Sequence, residues 1–223
     1  VSASLGIASG DPEATSGSLL RDADVAMYRA KSNGKGCWVV HDSEMRTAAV
    51  ERLRLETDLL GALDAGQLAL VYQPVVELES EAIVGFEALL RWNHPTLGLV
   101  MPDQFIPLAE ENGLIVPIGA WVLDEACRQA VAWRDAHPEH CELSMSVNVS
   151  ARQIASPDLL VHVATAISQS GIDPSRLVLE MTETALVQDA PIAAERLREL
   201  RTLGIRLAID DFGTGYSSLS YLR

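Results

Sequence analysis

The sequence predicts an α/β fold built on a parallel sheet, and three observations support this prediction. From residue 143 onward, short apolar runs typical of strands alternate with stretches of helical periodicity. Successive strands follow one another at about 30 residues, the length of a βαβ unit with a right-handed crossover. Before them, β-rich runs at 68–78 and 82–91 are separated only by Glu79, Ser80 and Glu81, which predicts an antiparallel hairpin.

The first 66 residues are organised differently. Residues 1–8 alternate like a strand, and residues 10–17 have turn chemistry. Residues 19–32 place apolar side chains on one helical face, and Asn33 and Gly34 end that helix. With a second short strand, residues 1–42 are too few for a domain, so we expect them to be the end of one that begins upstream. Residues 43–66 predict a charged linker helix.

Residues 67–223 are expected to form the α/β domain. Its later helices are predicted at 102–112, 117–137, 151–170 and 190–203. The strands between them are predicted at 143–149, 177–181 and 206–210.

Composition restricts the classes of partner. The 223 residues carry a formal charge of −14, with 48% hydrophobic and 22% charged residues, as in soluble proteins with a packed core. The sequence has no basic patch of the kind that binds DNA or RNA by releasing counterions, so a nucleic acid polymer is not an expected partner. An acidic protein can still bind a phosphate ester when metal ions lie between its carboxylates and the phosphate.

Neither a secretory signal nor a membrane span is visible in the sequence. Residues 1–20 lack a basic start followed by an apolar run, and the apolar stretch at 113–123 is shorter than the ~20 residues that a bilayer requires. Cys37, Cys127 and Cys141 form neither a CxxC pair nor a Cys/His zinc pattern. We therefore predict a soluble, cytoplasmic chain whose membrane attachment, if present, is through segments upstream.

Oxygen-bearing side chains stand late in several predicted strands. They are Glu87, Asn148, Glu180, Asp210 and Asp211. The last three strands follow one another at about one βα unit, so their polar side chains are expected at the same end of the sheet. In a parallel barrel this end carries the site. Carboxylates gathered there repel one another unless a cation neutralises them, and an all-oxygen set selects Mg²⁺ or Mn²⁺. Two such ions would suit phosphodiester hydrolysis.

Other interpretations of these residues remain open. A lone acid at a strand end is more often a loop or ion-pair residue, and paired Asp residues after a strand also suit a receiver domain that binds one Mg²⁺. Arg91 suits either a phosphate clamp or a surface ion pair. His94, which precedes Pro95 in a turn, is predicted to be structural. The glycines at 213 and 215 lack the lysine and spacing of a P-loop.

Five motifs in order resemble the EAL family of cyclic-di-GMP phosphodiesterases. They are Tyr72-Gln73-Pro74, Glu87-Ala88-Leu89-Leu90-Arg91-Trp92, Ser146-Val147-Asn148-Val149-Ser150, Leu179-Glu180-Met181-Thr182-Glu183 and Ile209-Asp210-Asp211-Phe212-Gly213-Thr214-Gly215-Tyr216. The resemblance implies a (β/α)8 barrel whose first strand is antiparallel to the rest. It also implies hydrolysis of cyclic di-GMP to linear pGpG with two Mg²⁺ or Mn²⁺ ions.

The same resemblance implies a role for each matching residue. Glu87, Asn148, Glu180 and Asp210 would hold one ion, and Asp210 with Asp211 would hold the second. Arg91 would contact a substrate phosphate, and Gln73 would line the same pocket. Glu183 would brace the loop at 212–218, which couples the contacts of a homodimer to the metals.

Residues 1–42 are similar to the C-terminal end of GGDEF domains, through Ala23-Asp24-Val25-Ala26-Met27-Tyr28-Arg29-Ala30-Lys31 and Gly34. Only about five barrel strands are visible, whereas a complete barrel takes about 250 residues, so we expect a C-terminally truncated EAL domain that is inactive in this form. The alternative function is a non-catalytic cyclic-di-GMP receptor or a protein-interaction module.

Overall fold

A computed structural model describes residues 2–10, 14–32, 36–138, 142–187 and 190–210. The chain divides into two compact units, Val1–Asp58 and Leu59–Arg223. The first unit contains β1 (Leu5–Ile7), α1 (Ser16–Ser32), β2 (Trp38–Val40) and most of α2 (Ser43–Ala62).

Helix α1 begins three residues earlier than the sequence predicted. The Thr15 hydroxyl accepts the Ser18 N–H at 3.2 Å, and the Ser18 hydroxyl accepts the Thr15 N–H at 3.1 Å. These reciprocal bonds satisfy N–H groups that a helix start otherwise leaves unpaired, so they extend the helix backward into the predicted loop.

In the first unit, β1 and β2 pair in parallel, with Leu5 opposite Trp38 and Ile7 opposite Val40. Gly6 lies so close to α1 that a Cβ there would be 1.9 Å from the Ala23 carbonyl oxygen. Glycine at this position therefore allows the strand to approach the helix backbone.

The second unit is built on a six-stranded sheet. Its strands are β3 (Leu68–Val76), β4 (Ile83–His94), β5 (Gly98–Val100), β6 (Ser144–Asn148), β7 (Leu177–Thr182) and β8 (Arg206–Asp210). The order is β3-β4-β6-β7-β8, with β5 also paired to β4. Strands β4, β6, β7 and β8 are parallel, and β3 is antiparallel to β4, which confirms the predicted hairpin. Strand β5 was not predicted.

Helices follow the strands in this unit. They are α3 (Pro102–Asn112), α4 (Ile115–Ala136), α5 (Ala151–Ala155), α6 (Leu159–Ser170), α7 (Glu183–Val187) and α8 (Ala190–Thr202). The prediction of one continuous helix at 151–170 is wrong. Ser156 is extended, with φ −72° and ψ 133°, because the ring of Pro157 disfavours the helical conformation for the residue before it. Helix α7 was not predicted either.

Trp92 lies at the centre of the packing around β4 and is completely buried. Its indole N–H donates to the Gln67 side-chain oxygen at 3.1 Å, and its ring meets those of His94 and Phe105 edge-on at 5.0 and 5.6 Å. Nδ1 of His94 accepts the backbone N–H of Thr96 at 3.2 Å, so this histidine stabilises the turn after β4, as predicted.

The described helices include none that is both long and apolar enough to cross a bilayer.

Cys127 of α4 is completely buried, and burial, followed by the nearby Asp124 carboxylate, raises the pKa of its thiol to about 12. Since the thiolate is the reactive form, we expect Cys127 to resist a thiol reagent such as DTNB in the folded protein. The Cys127→Ala variant should release the same amount of thionitrobenzoate as the unsubstituted protein under native conditions, and one equivalent less in guanidinium. A native difference of one equivalent would contradict this expectation.

Candidate active site

The register of the sheet places the predicted site residues on one face. The paired residues are Glu87 with Ser146, Asn148 with Glu180, and Thr182 with Asp210. Residues paired across a ladder point to the same side of a sheet, and so do residues two apart along a strand. The side chains of Glu87, Asn148, Glu180 and Asp210 therefore share one side, which we call the acidic face. Ser146, the partner of Glu87, lies two residues before Asn148, and Thr182, the partner of Asp210, lies two residues after Glu180. At both of these steps the acidic face therefore moves by two residues along the strands.

Two hydrogen bonds connect neighbouring strands across the acidic face. The Asn148 amide donates to a Glu87 carboxylate oxygen at 2.6 Å. The buried Ser146 hydroxyl donates to the Glu180 carboxylate. Ser146 was missed as a site residue, although its position two residues before Asn148 was a signal that both point to the same side.

Electrostatic repulsion accumulates on the acidic face. Burial raises the pKa of Glu180, and the carboxylates of Glu87 and Asp210 raise it further, against the opposing effect of the Ser146 hydroxyl. A bound cation would offset the repulsion between these carboxylates and so stabilise their ionised form.

The donor atoms on the acidic face suit a hard divalent cation. Carboxylate and amide oxygens are ligands that Mg²⁺ and Mn²⁺ prefer over the nitrogen and sulfur ligands of zinc sites. Among the described residues, no three His, Cys, Asp or Glu side chains lie close enough together to hold an ion. The described part of the chain therefore has a shared face of negative charge without a closed coordination cage.

The predicted substrate-binding residues lie on the same face. Gln73 of β3 is paired with Glu87 and is exposed. Arg91 follows Glu87 by four residues on β4, so both side chains point to the same side, and its guanidinium donates to the Leu90 carbonyl at 2.8 Å. Glu183 is half-buried and begins α7 directly after β7. Asp211 and the loop at 212–218 lie outside the described residues.

A cavity of about 900 Å³ lies between strand β4, the ends of β6 and β7, and the surrounding helices. Its lining is mostly apolar and includes Ala88, Leu90, Ile118 and Ile154. Asn148 of the acidic face and Thr182 also line the cavity, whereas Glu87, Glu180 and Asp210 do not. The acidic face and this cavity therefore meet at Asn148.

Comparisons with known proteins agree on one family. The sequence matches the EAL domain over residues 56–223. The bifunctional diguanylate cyclase/cyclic di-GMP phosphodiesterase MucR of Pseudomonas aeruginosa is 47% identical over 225 residues, an alignment that takes in 100% of this chain and 32% of MucR. An uncharacterized signaling protein of Caulobacter vibrioides is 44% identical over 213 residues, which are 96% of this chain and 26% of that protein. The chain thus spans about a third or less of the length of these relatives.

Solved structures of this family have a similar fold. The MucR phosphodiesterase in complex with c-di-GMP aligns with a TM-score of 0.71 and 48% identity, covering 76% of this chain and 68% of that one. The EAL enzyme Bd1971, in a form bound to cAMP and cyclic-di-GMP, aligns with a TM-score of 0.73 and 31% identity over 95% of this chain and 55% of that one. On its sequence and its fold, the chain belongs to the EAL domain family.

Proposed function

We propose that this chain carries the catalytic face of a metal-dependent phosphodiesterase that hydrolyses cyclic di-GMP to linear pGpG. The observation that carries the proposal is the acidic face, on which Glu87, Asn148, Glu180 and Asp210 point to one side of the sheet. The likeness to MucR and Bd1971, whose structures are described as complexes with this nucleotide, supports the choice of substrate.

The proposal assigns metal binding, ligand orientation and phosphate binding to residues of this side of the sheet. Glu87, Asn148, Glu180 and Asp210 would hold one divalent ion, and Asp210 with Asp211 would hold the second. When bound, two such ions supply an activated water and neutralise charge on the phosphate oxygens. The amide of Asn148 orients the Glu87 carboxylate, and the Ser146 hydroxyl orients that of Glu180. The Arg91 guanidinium binds a phosphate oxygen, beside Gln73.

The proposal extends to the organisation of the chain. Residues 1–42 are the end of a GGDEF-type domain, residues 43–66 are a linker helix, and residues 67–223 belong to the EAL domain. The alignment of the whole chain with MucR, which is described as a bifunctional cyclase and phosphodiesterase, supports this organisation. Glu183 braces the loop at 212–218, through which two EAL domains of a homodimer influence each other's metals.

The test is hydrolysis of cyclic di-GMP by the full-length protein that carries this chain, with pGpG separated by chromatography. We expect pGpG to form with Mg²⁺ or Mn²⁺ and not with EDTA. Asp210→Ala should lower turnover by at least about 100-fold, because even the loss of residues that support metal ligands typically costs 10–100-fold. Retained turnover in that variant would refute the assignment of the metal face. Saturable binding of the nucleotide without product would identify a receptor instead.

A further inference from the structure

The segment that carries Asn148 is fixed at both of its ends. On one side, the backbone N–H of Val149 donates to the Glu180 carbonyl at 2.8 Å, which continues the β6–β7 ladder beyond the end of β6. On the other side, Ser150 caps α5. The Ser150 hydroxyl accepts the Gln153 N–H at 3.3 Å, and the Gln153 side-chain oxygen accepts the Ser150 N–H at 3.0 Å. This capping box lies two residues after Asn148.

The side chain of Gln153 is held in place by a helix that is distant in sequence. It is one of the few buried polar side chains among the described residues, with 5% of its surface exposed. Its amide nitrogen lies against Gly119 of α4, where an added Cβ would be only 1.9 Å away. Glycine weakens a helix interior, so its presence within α4 has a packing reason, which is the space that Gln153 occupies.

We propose that Gln153, seated against Gly119, is the positioning residue for Asn148 on the acidic face. The contact with α4 fixes the Gln153 side chain, the capping box then fixes Ser150, and the short link to Asn148 fixes the amide that meets Glu87. Displacing Gln153 releases one end of this segment and leaves the ladder bond of Val149 as its remaining anchor. This inference rests on the proposed function, because Asn148 matters only if the acidic face binds metal.

Arg152 provides a matched control on the same helix. Its guanidinium donates to the carbonyls of Glu110 and Glu111 at the end of α3, and it takes no part in the capping box. Arg152→Ala therefore weakens the packing of α5 without touching Gln153 or Ser150.

The experiment measures binding of Mn²⁺ by the full-length protein, from the electron paramagnetic resonance signal of free Mn²⁺, without nucleotide. We expect Gln153→Ala to weaken Mn²⁺ binding by about 10–100-fold, the usual cost of losing a residue that supports a metal ligand. The Gln153→Glu variant should retain most of the Mn²⁺ affinity of the unsubstituted protein, because a carboxylate also accepts the Ser150 N–H. Arg152→Ala should bind Mn²⁺ like the unsubstituted protein.

Gly119→Ala keeps the inference testable if Gln153→Ala fails to fold. Alanine favours the helix but forces the Gln153 amide to move, so we expect weakened Mn²⁺ binding in a protein that is still folded by circular dichroism. Unchanged Mn²⁺ binding in both variants, or an equal loss in Arg152→Ala, would overturn the positioning role. Absence of Mn²⁺ binding by the unsubstituted protein would instead overturn the proposed function.

Discussion

Glu180→Gln is expected to abolish most hydrolysis of cyclic di-GMP while making the metal-free protein more stable. On the proposed function, turnover should fall by at least about 100-fold, since removing a charged metal ligand costs at least as much as removing a residue that supports one. The amide keeps the shape of the side chain and can still accept the Ser146 hydroxyl hydrogen, so the packing of β7 is preserved.

The gain in stability follows from the charge on the acidic face. Burial, with the carboxylates of Glu87 and Asp210, raises the pKa of Glu180 above its ordinary 4.5. The folded protein therefore binds this proton more tightly than the unfolded chain, and the free energy of unfolding decreases as the pH rises from 4.5 through the raised pKa. Glutamine does not ionise. The variant should thus be more stable than the unsubstituted protein at pH 7 and equally stable well below pH 4.5.

Urea unfolding in EDTA at several pH values, followed by circular dichroism, measures this difference. Glu79→Gln is the matched control, because Glu79 is an exposed residue of the turn between β3 and β4. It should change neither turnover nor the pH dependence of stability. A Glu180→Gln protein that is less stable at pH 7 would contradict the repulsion described for the acidic face.

Trp92→Ala is expected to lower the free energy of unfolding by about 3–5 kcal/mol, the range for truncating a fully buried Trp or Phe. Three changes contribute to this loss. The ring no longer fills its space against Phe105, the His94 ring loses its edge-on partner, and the Gln67 side-chain oxygen loses its donor. The midpoint and slope of urea unfolding give the change directly.

Two further variants separate the contributions at this position. Trp92→Phe keeps an aromatic ring but leaves Gln67 without a donor, so an intermediate loss of about 1–3 kcal/mol is expected. Leu78→Ala removes an apolar side chain that is 94% exposed, and it should change the free energy of unfolding by no more than about 0.5 kcal/mol. Equal losses in Trp92→Ala and Leu78→Ala would show that Trp92 is not central to the packing.

Much of the fold was predictable because its apolar patterns are strong. The β3–β4 hairpin and the strands β6, β7 and β8 were predicted from runs of apolar residues, and their bounds agree within one or two residues, apart from the ends of the hairpin strands. The short elements were missed. Strand β5 has only three residues, and α7 has five, so neither repeats a periodic pattern often enough to be recognised.

The candidate site was predicted only as far as residue spacing allows. Spacing of about one βα unit indicates which strand ends carry oxygen-bearing side chains, and the structure places those residues on one face. Residue spacing does not determine which side chains form hydrogen bonds between strands, so the contact of Asn148 with Glu87 was not predicted. The contact between Gln153 and Gly119 was not predicted either, because Gly119 lies on a helix more than thirty positions earlier in the sequence.

The two-residue offset between these polar side chains restricts where residues can be inserted into the chain or deleted from it. Because the offset is an even number, each acid keeps its orientation as the sheet passes from one strand to the next. One amino acid inserted into β7 before Glu180 would turn that carboxylate toward the helices and bring an apolar neighbour to the acidic face. Insertions and deletions in natural variants are therefore expected in the connections between helices and strands, and not within β6, β7 or β8.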